Sequence, residues 1–507
     1  MKAKAVFVLK CLFFLVILFV ILRSVNSILV PHYPIRTAEW PSTGTFYHFY
    51  KMKKNSIDVL FIGSSVAVNN FIPQQIYNDH GICSYNLSSE QQSVMLSYYW
   101  LKEALRYQKP KMVVLEGLFL MNFSRKNFEI INTTEGLTRK TIDPMRLSSV
   151  KVQAVNDICE RDKNQDPSSY FFKNIRYHTR WKSLNDVDFL PINENYYPNL
   201  YGWVPGLEKG EKDKKVKFEP IIESDKCTPF ELRTDMVEYF EKMVALCKEN
   251  DIKLVLVKIA NTDFKEDKNY AYRQLAKRNN VDFYDFNEES LYHQLKVGKG
   301  ENVLHHGNLQ GNLKNSALMG KILKTKYNLP SRSDDQYEKT KSIYQHVCNS
   351  FSLDKINDFN TYIRAINDPL FITFISAKDE ISRSKNKDYR RVYIKVLGKD
   401  IKWETGCEKA SPEKGTYLAV VGKDIIDEKG SDPTKLDGHF DHMRNHFSML
   451  SEGGKDVKSS ESSIIINEQE YSKNKRGLNF VVFDLVRNRV VDSVRFDTRY
   501  RKPRASR

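Results

Sequence analysis

Cysteine is sparse in this chain: seven residues in 507, widely spaced, with no C-x-x-C pair. That absence argues against zinc-finger and zinc-ribbon classes, which need thiolates at short fixed spacing. Cys11 lies in an apolar run, leaving Cys83, Cys159, Cys227, Cys247, Cys348 and Cys407; domains of this size fold without disulfides. There is no long internal repeat, which argues against a solenoid or propeller. A nucleic-acid recognition motif is also missing, although 79 Lys+Arg against 63 Asp+Glu give a formal net charge of +16. The basic residues gather at the N-terminus, in GLEKGEKDKKVKF (206–218) and in the C-terminal RYRKPRASR. Without a recognition motif, that charge fits an anionic envelope polymer, lipid headgroups or a plain solvated surface, and no nucleic-acid partner is expected.

What is present begins at the N-terminus. MKAKAVFVLK leads into CLFFLVILFVILR, and Ala5–Leu22 is apolar except for Lys10. A lysine stem can snorkel to the interface, so the run is long enough to span a membrane. No small-x-small cleavage site follows Arg23. Residues 1–30 therefore read as an uncleaved signal anchor, with the positive flank cytoplasmic and the main domains outside. With 41% hydrophobic and 28% charged residues, the remainder is globular and large enough for two or three domains.

Four short β-branched runs, 57–63, 111–117, 252–260 and 281–286, are continuously apolar rather than alternating. Strands of that kind are buried on both faces of a parallel sheet. Helical spacing in 93–108, 234–251 and 312–330 supplies the covering layers. Residues 45–330 are thus expected to form a three-layer α/β domain, with a polar insertion near 120–230 over the sheet's carboxyl edge. Residues 331–365 read as a charged connector with partial helical character, and 366–500 as a β-rich, sandwich-like domain of short strands between turns.

VLFIGSSVAVNNF (59–71) carries the first chemical question, because it runs from a strand through Gly-Ser-Ser toward a helix. A serine there is either a helix cap or an exposed nucleophile. A base would come from another loop at the carboxyl edge of the same sheet. ENVLHHGNLQG (301–311) offers His305 and His306, which read equally well as surface polar residues. DGHFDHMRNH (437–446) gathers Asp437, His439, Asp441, His442 and His446. Such a set suits either a divalent ion or an ordinary solvated turn, and no metal is expected.

These blocks together resemble the SGNH/GDSL hydrolase superfamily over about residues 50–330. The resemblance lies in the branch of the D-alanyl-transfer protein of lipoteichoic acid synthesis and of polysaccharide O-acetyl-transfer proteins. Gly63-Ser64-Ser65 is similar to the nucleophile block, with Ser65 at the nucleophile position. SYNLSSEQQS (84–93) is similar to the second block, YHTRW (177–181) is a further echo, and HGNLQG (306–311) supplies His306, Asn308 and Gly311 of the last. The resemblance implies Ser65 and His306 as catalytic residues. It places Asn86, Ser88, Glu116, Arg180 and Asn308 as oxyanion or substrate-positioning groups. Asn86 is equally a turn-former, Glu116 a cap and Arg180 half of an internal salt bridge.

The pattern departs at Val303, where the family carries the triad acid. Valine neither orients a histidine nor stabilises its charged form. Glu301 or Asp285 as substitute, a Ser-His dyad and a noncatalytic site all remain open. Residues 462–498 resemble the interleukin-like EMT-inducer domain through Arg476-Gly477, Asn479 and Phe496-Asp497-Thr498, with Glu468 where that family has glycine. Sugar binding is implied by that resemblance. The expectation is a serine acyltransferase or esterase without cofactor, acting on an envelope polysaccharide or teichoic acid beside a membrane-bound acyl-delivery protein. The alternative is a noncatalytic glycan-binding or assembly protein.

Overall fold

The four apolar runs form β1 (Val59–Ile62), β3 (Met112–Glu116), β4 (Lys253–Lys258) and β5 (Asp282–Asp285) in a computed structural model. A three-residue strand, β2 (Ser84–Asn86), completes a five-stranded sheet of order β2-β1-β3-β4-β5, every pair parallel. β1, β2 and β3 are buried along their whole lengths. The structure describes residues 2–30, 42–121, 131, 133–184, 186–189, 199–205, 219–222, 227–261, 263–296, 298, 301–303, 306–378, 417–422, 426–429, 434–440, 445–452, 460–497 and 503–507. The basic run 206–218, His305, Asp441, His442, Thr498 and residues 379–416 of the expected β-rich domain lie outside the described residues.

The chain divides into two compact units, Met1–Lys341 and Ser342–Arg507. The first begins with α1 (Lys2–Leu29) and α2 (Ser42–Phe49). Within α1, Lys4–Asn26 is the one helix among the described residues long and apolar enough to cross a membrane. After β1 come α3 (Ser65–Asn70) and α4 (Pro73–His80), and after β2 comes α5 (Val94–Ala104). The insertion between β3 and β4 carries α6 (Glu135–Ile142), α7 (Ser149–Arg161), α8 (Ser168–Phe171), α9 (Lys173–Tyr177) and α10 (Thr234–Glu249). Next are α11 (Glu266–Arg278), α12 (Glu289–Leu295), a hairpin of β6 (Asn302–Val303) and β7 (His306–Gly307), and α13 (Leu309–Lys326). α5 packs on α10 and α4 on α13. Right-handed crossovers put these pairs on opposite faces of the sheet, because the chain reverses its direction of progress after β2.

The segment read as a connector is instead built into the units. The boundary falls inside α14 (Asp335–Ser350), and α15 (Phe359–Ile366) buries Phe359, Tyr362, Ile363 and Ile366. The second unit continues with β8 (Phe371–Lys378), β9 (Leu418–Val421), β10 (Ile426–Lys429), β11 (Thr434–Phe440), β12 (Asn445–Glu452) and β13 (Glu461–Ile466). It ends with β14 (Gln469–Glu470), β15 (Gly477–Asp484), β16 (Arg489–Asp497) and β17 (Arg504–Ser506). A six-stranded sheet, β10-β9-β8-β15-β16-β17, faces a four-stranded sheet, β11-β12-β13-β14. Phe374, Val481 and Phe483 pack into the core shared with Phe440, Met449 and Ile464. The other face of the larger sheet, with Ile375, Phe480 and Val482, packs under α15. Alternation along β8 and β15 thus serves two cores.

A charged cluster is buried in the second unit. The ring nitrogens of His346 lie 2.9 Å from Asp368 Oδ2 and 3.1 Å from Asp484 Oδ1, and the histidine is only 1% exposed. Asp484 also accepts from the Ser350 hydroxyl and from the backbone N–H groups of Val486 and Arg487. Burial pulls the histidine down, but hydrogen bonds to Asp368 and Asp484 outweigh it and hold the imidazole up at about 9. The folded value lies above the unfolded one, so the stabilisation is complete below about pH 6.5 and is lost as pH rises through about 9. Amide hydrogen exchange in β15 is expected to quicken over that interval. His346→Gln should remove the pH dependence and destabilise the unit by roughly 3 kcal/mol, because it leaves the buried Asp484 and the partly buried Asp368 without the imidazolium.

Candidate active site

The strand order reverses between β1 and β3, and open α/β sheets bind ligands in the crevice at the carboxyl ends of such neighbours. Gly63, Ser64 and Ser65 leave β1 at that point. A Cβ on Gly63 would come within 3.0 Å of the Cβ atoms of both Ala67 and Glu116, and 3.1 Å from the Glu116 carbonyl oxygen. Only glycine lets the turn pass this close to β3.

The two hydroxyls have separate positions. Ser64 is 1% exposed and is the extended N-cap of α3; its Oγ accepts from the Val66 N–H at 3.3 Å. Its hydroxyl also donates to Glu116 Oε2 at 3.4 Å. Ser65, the first residue of α3, is partly exposed. Cap and exposed serine, rival readings of one motif, therefore fall on neighbouring residues.

Glu116 ends β3 in full burial. Its Oε1 lies 2.7 Å from Lys258 Nζ, and both side chains are 0% exposed. Oε2 accepts from the Leu118 N–H at 3.2 Å in addition to Ser64. Glu116 thus holds the turn, and its carboxylate is spent on Lys258, Ser64 and the backbone. Lys258 went unnoticed in the sequence, since a lysine ending an apolar run reads as a solvated strand end. On the next strand Lys258 pairs in register with Asp285. Adjacent strands therefore end in an acid, a base and an acid.

Asp285 is fully buried and accepts from the Asn287 N–H at 2.9 Å, Asn287 Nδ2 at 2.5 Å and Asn269 Nδ2 at 2.7 Å. Burial pushes its carboxyl up, against the opposing effect of these donors. Glu301 Oε2 lies 2.6 Å from Lys314 Nζ and accepts from the Gly298 N–H at 2.6 Å. Both carboxylates weighed as substitutes for a triad acid thus have other partners.

The remaining expected residues separate. Asn86 is completely buried, and its Nδ2 donates to the carbonyls of Ala67 and Phe71, each at 2.8 Å. Phe71 is the C-cap of α3 and its N–H also donates to the Ala67 carbonyl, so the amide read as an oxyanion group closes a helix instead. Ser88 is also buried, and its hydroxyl has no hydrogen-bond partner among the described residues. Asn308 caps α13, accepting from the Gly311 N–H at 3.1 Å, while its own N–H donates to the Glu301 carbonyl. Arg180 bonds the carbonyls of Ile28 and Leu29 at the end of α1 and pairs with Asp188, so its salt-bridge reading is the one realised. His306 is placed by its backbone: β7 pairs with β6 in the register Val303–His306, and β7 packs beside α3.

Two ties hold α3. Asn315 Nδ2 donates to Asn70 Oδ1 at 2.6 Å, and Ser316 accepts from the Ile72 N–H at 3.0 Å. From the insertion, the Val204 carbonyl accepts from Asn69 Nδ2 at 2.8 Å, and Trp203 Nε1 donates to the Asn69 carbonyl at 3.0 Å. Gly202, at φ +83°, passes so near β2 that a Cβ would lie 1.8 Å from the Asn86 carbonyl oxygen. The insertion thus reaches back to the site helix. In the second unit, His439 and His446 face each other across β11 and β12, with ring centroids 6.3 Å apart. No group of three or more metal-ligating side chains occurs among the described residues.

The chain matches no protein-family model and no curated protein. Among solved structures, it is similar to Zn(II)-bound AdcA from Streptococcus pneumoniae at 11% identity, over 84% of this chain and 92% of that one. The TM-score is 0.13, a likeness that carries no argument about fold or function.

Removing one member of the buried ion pair should cost far more than removing both. Lys258→Met is expected to destabilise the first unit by about 3–5 kcal/mol, and Lys258→Met with Glu116→Gln to recover a large part of that, as read by denaturant unfolding. Gly63→Ala should also destabilise this unit, since the turn must then move away from β3.

Proposed function

We propose that the chain is an extracytoplasmic serine acyltransferase or esterase, held in a membrane by α1, that modifies a cell-envelope polysaccharide or teichoic acid. The single observation carrying this reading is the position of Ser65: partly exposed, first in α3, at the carboxyl end of β1 beside the strand-order reversal, with β7, the strand that contains His306, beside the same helix. The order β2-β1-β3-β4-β5 and the sequence blocks around Ser65, Asn86 and His306 support an SGNH-like reading of the fold.

In the proposed reaction, Ser65 Oγ bonds to the carbonyl carbon of an activated acyl group while His306 takes the hydroxyl proton. His306 returns the proton to the leaving group as its bond to the acyl carbon breaks. A polymer hydroxyl, or water, then attacks the acyl-enzyme, with His306 accepting its proton and returning it to Ser65. Donors for the developing oxyanion are backbone N–H groups at the Ser65 turn, because the Asn86 amide donors are spent on α3. The acyl group is D-alanyl or acetyl by the resemblance, delivered by a membrane-bound partner. The β-rich unit is a carbohydrate-associated module by its own resemblance.

A noncatalytic glycan-binding or assembly protein is the second reading. It is favoured by Val303 at the acid position and by the other partners of Asp285 and Glu301. Covalent labelling of the full chain with an active-serine probe separates the two. The acyl-enzyme reading expects label on Ser65, abolished in Ser65→Ala and greatly reduced in His306→Ala. A folded, membrane-inserted protein that takes no label while a control serine hydrolase does would transfer the assignment to binding. Labelled acyl donor supplied with and without polymer then distinguishes transfer from hydrolysis.

A further inference from the structure

The end of α1 carries the next inference, which rests on reading that helix as a membrane span. α1 is exposed from Lys4 through Val25, becomes partly covered at Asn26, and delivers Val30 into the protein at 7% exposure. The covering elements are α9 and the 3-10 turns His178–Ser183 and Asp186–Phe189. Arg180 joins them to the helix through the carbonyls of Ile28 and Leu29, and Asp188 holds the guanidinium. Leu29 is three residues past the apolar span, about 4.5 Å of helical rise. Whatever is bonded there sits at the level where hydrocarbon gives way to headgroups.

The side chains at that level have the matching chemistry. Outside α1, seven large apolar side chains are exposed among the described residues, and four of them lie within residues 172–189: Phe172, Ile175, Trp181 and Phe189. Each is at least 45% exposed, whereas the other three, Leu147, Val152 and Ile222, are scattered, and most of the large apolar residues of unit 1 outside α1 are buried in one continuous core. Lys182 Nζ lies 5.6 Å from the Trp181 ring centroid, placing a cation beside the aromatic group. Amphipathic aromatics with adjoining cations are the side chains that settle at a bilayer surface, the ring at headgroup depth and the ammonium among phosphates.

We propose that residues 172–184 and 186–189 form a collar seated in the headgroup layer of the membrane that α1 crosses. The collar gives unit 1 a second attachment beside the span and restricts its rotation about the helix axis.

The test uses the full chain in vesicles of phosphatidylethanolamine and phosphatidylglycerol whose acyl chains carry bromine at a shallow or a deep position. Tryptophan emission of the unmodified protein is compared with that of Trp181→Phe, while resistance of the protein to carbonate extraction reports insertion of α1. The expected result is an emission component, absent in Trp181→Phe, that is lost with shallow bromine and retained with deep bromine. Equal quenching of the two proteins with α1 inserted would place Trp181 in water and overturn the collar. Extraction by carbonate would instead overturn the membrane-span reading, and the collar with it.

Discussion

A carboxylate and an ammonium, both withdrawn from water, organise the carboxyl edge of the parallel sheet. Glu116 and Lys258 end neighbouring strands, and their contact at 2.7 Å offsets a desolvation cost that neither could bear alone. The surrounding backbone follows from that contact. Gly63 must lack a side chain because its turn passes over Glu116, and Ser64 and the Leu118 N–H supply further donors to the carboxylate. The partly exposed serine is therefore presented by a turn whose lower side is fixed by buried charge.

Amide side chains do the corresponding work around α3. This helix is six residues long and satisfies few of its own terminal groups. Asn86 closes its end, Asn315 joins it to α13 through Asn70, and Asn69 joins it to the insertion. The Asn86 bonds span 19 and 15 residues, but those of Asn315 and Asn69 span 245 and 135, so the site is assembled only when the sheet, the insertion and the last helix of the layer are all in place. Local sequence preference has little part in it.

That division explains what was legible beforehand. β1, β3 and β4 stood out because continuous apolar runs are rare outside buried strands, whereas β5, an outer strand reading Asp-Phe-Tyr-Asp, buries only Asp285 fully. β2 did not, being only Ser-Tyr-Asn, a strand by virtue of its neighbours. α11 was passed over because its charged surface leaves a narrow buried stripe of Ala271, Tyr272, Leu275 and Ala276. In α15 the buried positions 359, 362, 363 and 366 follow helical spacing, but the charged stretch before them suggested a connector. Within the site, Gly63, Ser64 and Ser65 were legible through local turn chemistry. Lys258 was not, since its partner lies 142 residues away, and the binding of Arg180 to the end of α1 likewise depends on a tertiary contact with no local signature.

The latch formed by residues 201–204 also changes what the sheet shows to other molecules. β2 is an outer strand, and an outer strand offers unpaired N–H and carbonyl groups to any extended chain that approaches. Here the Asn86 N–H is already given to the Tyr201 carbonyl at 2.8 Å, and Gly202 lies too close to the Asn86 carbonyl for another backbone to enter between them. The insertion is thus a guard against edge-to-edge association. It closes the border of the sheet from within the same chain, so that the border nearest the partly exposed serine is denied to a second copy.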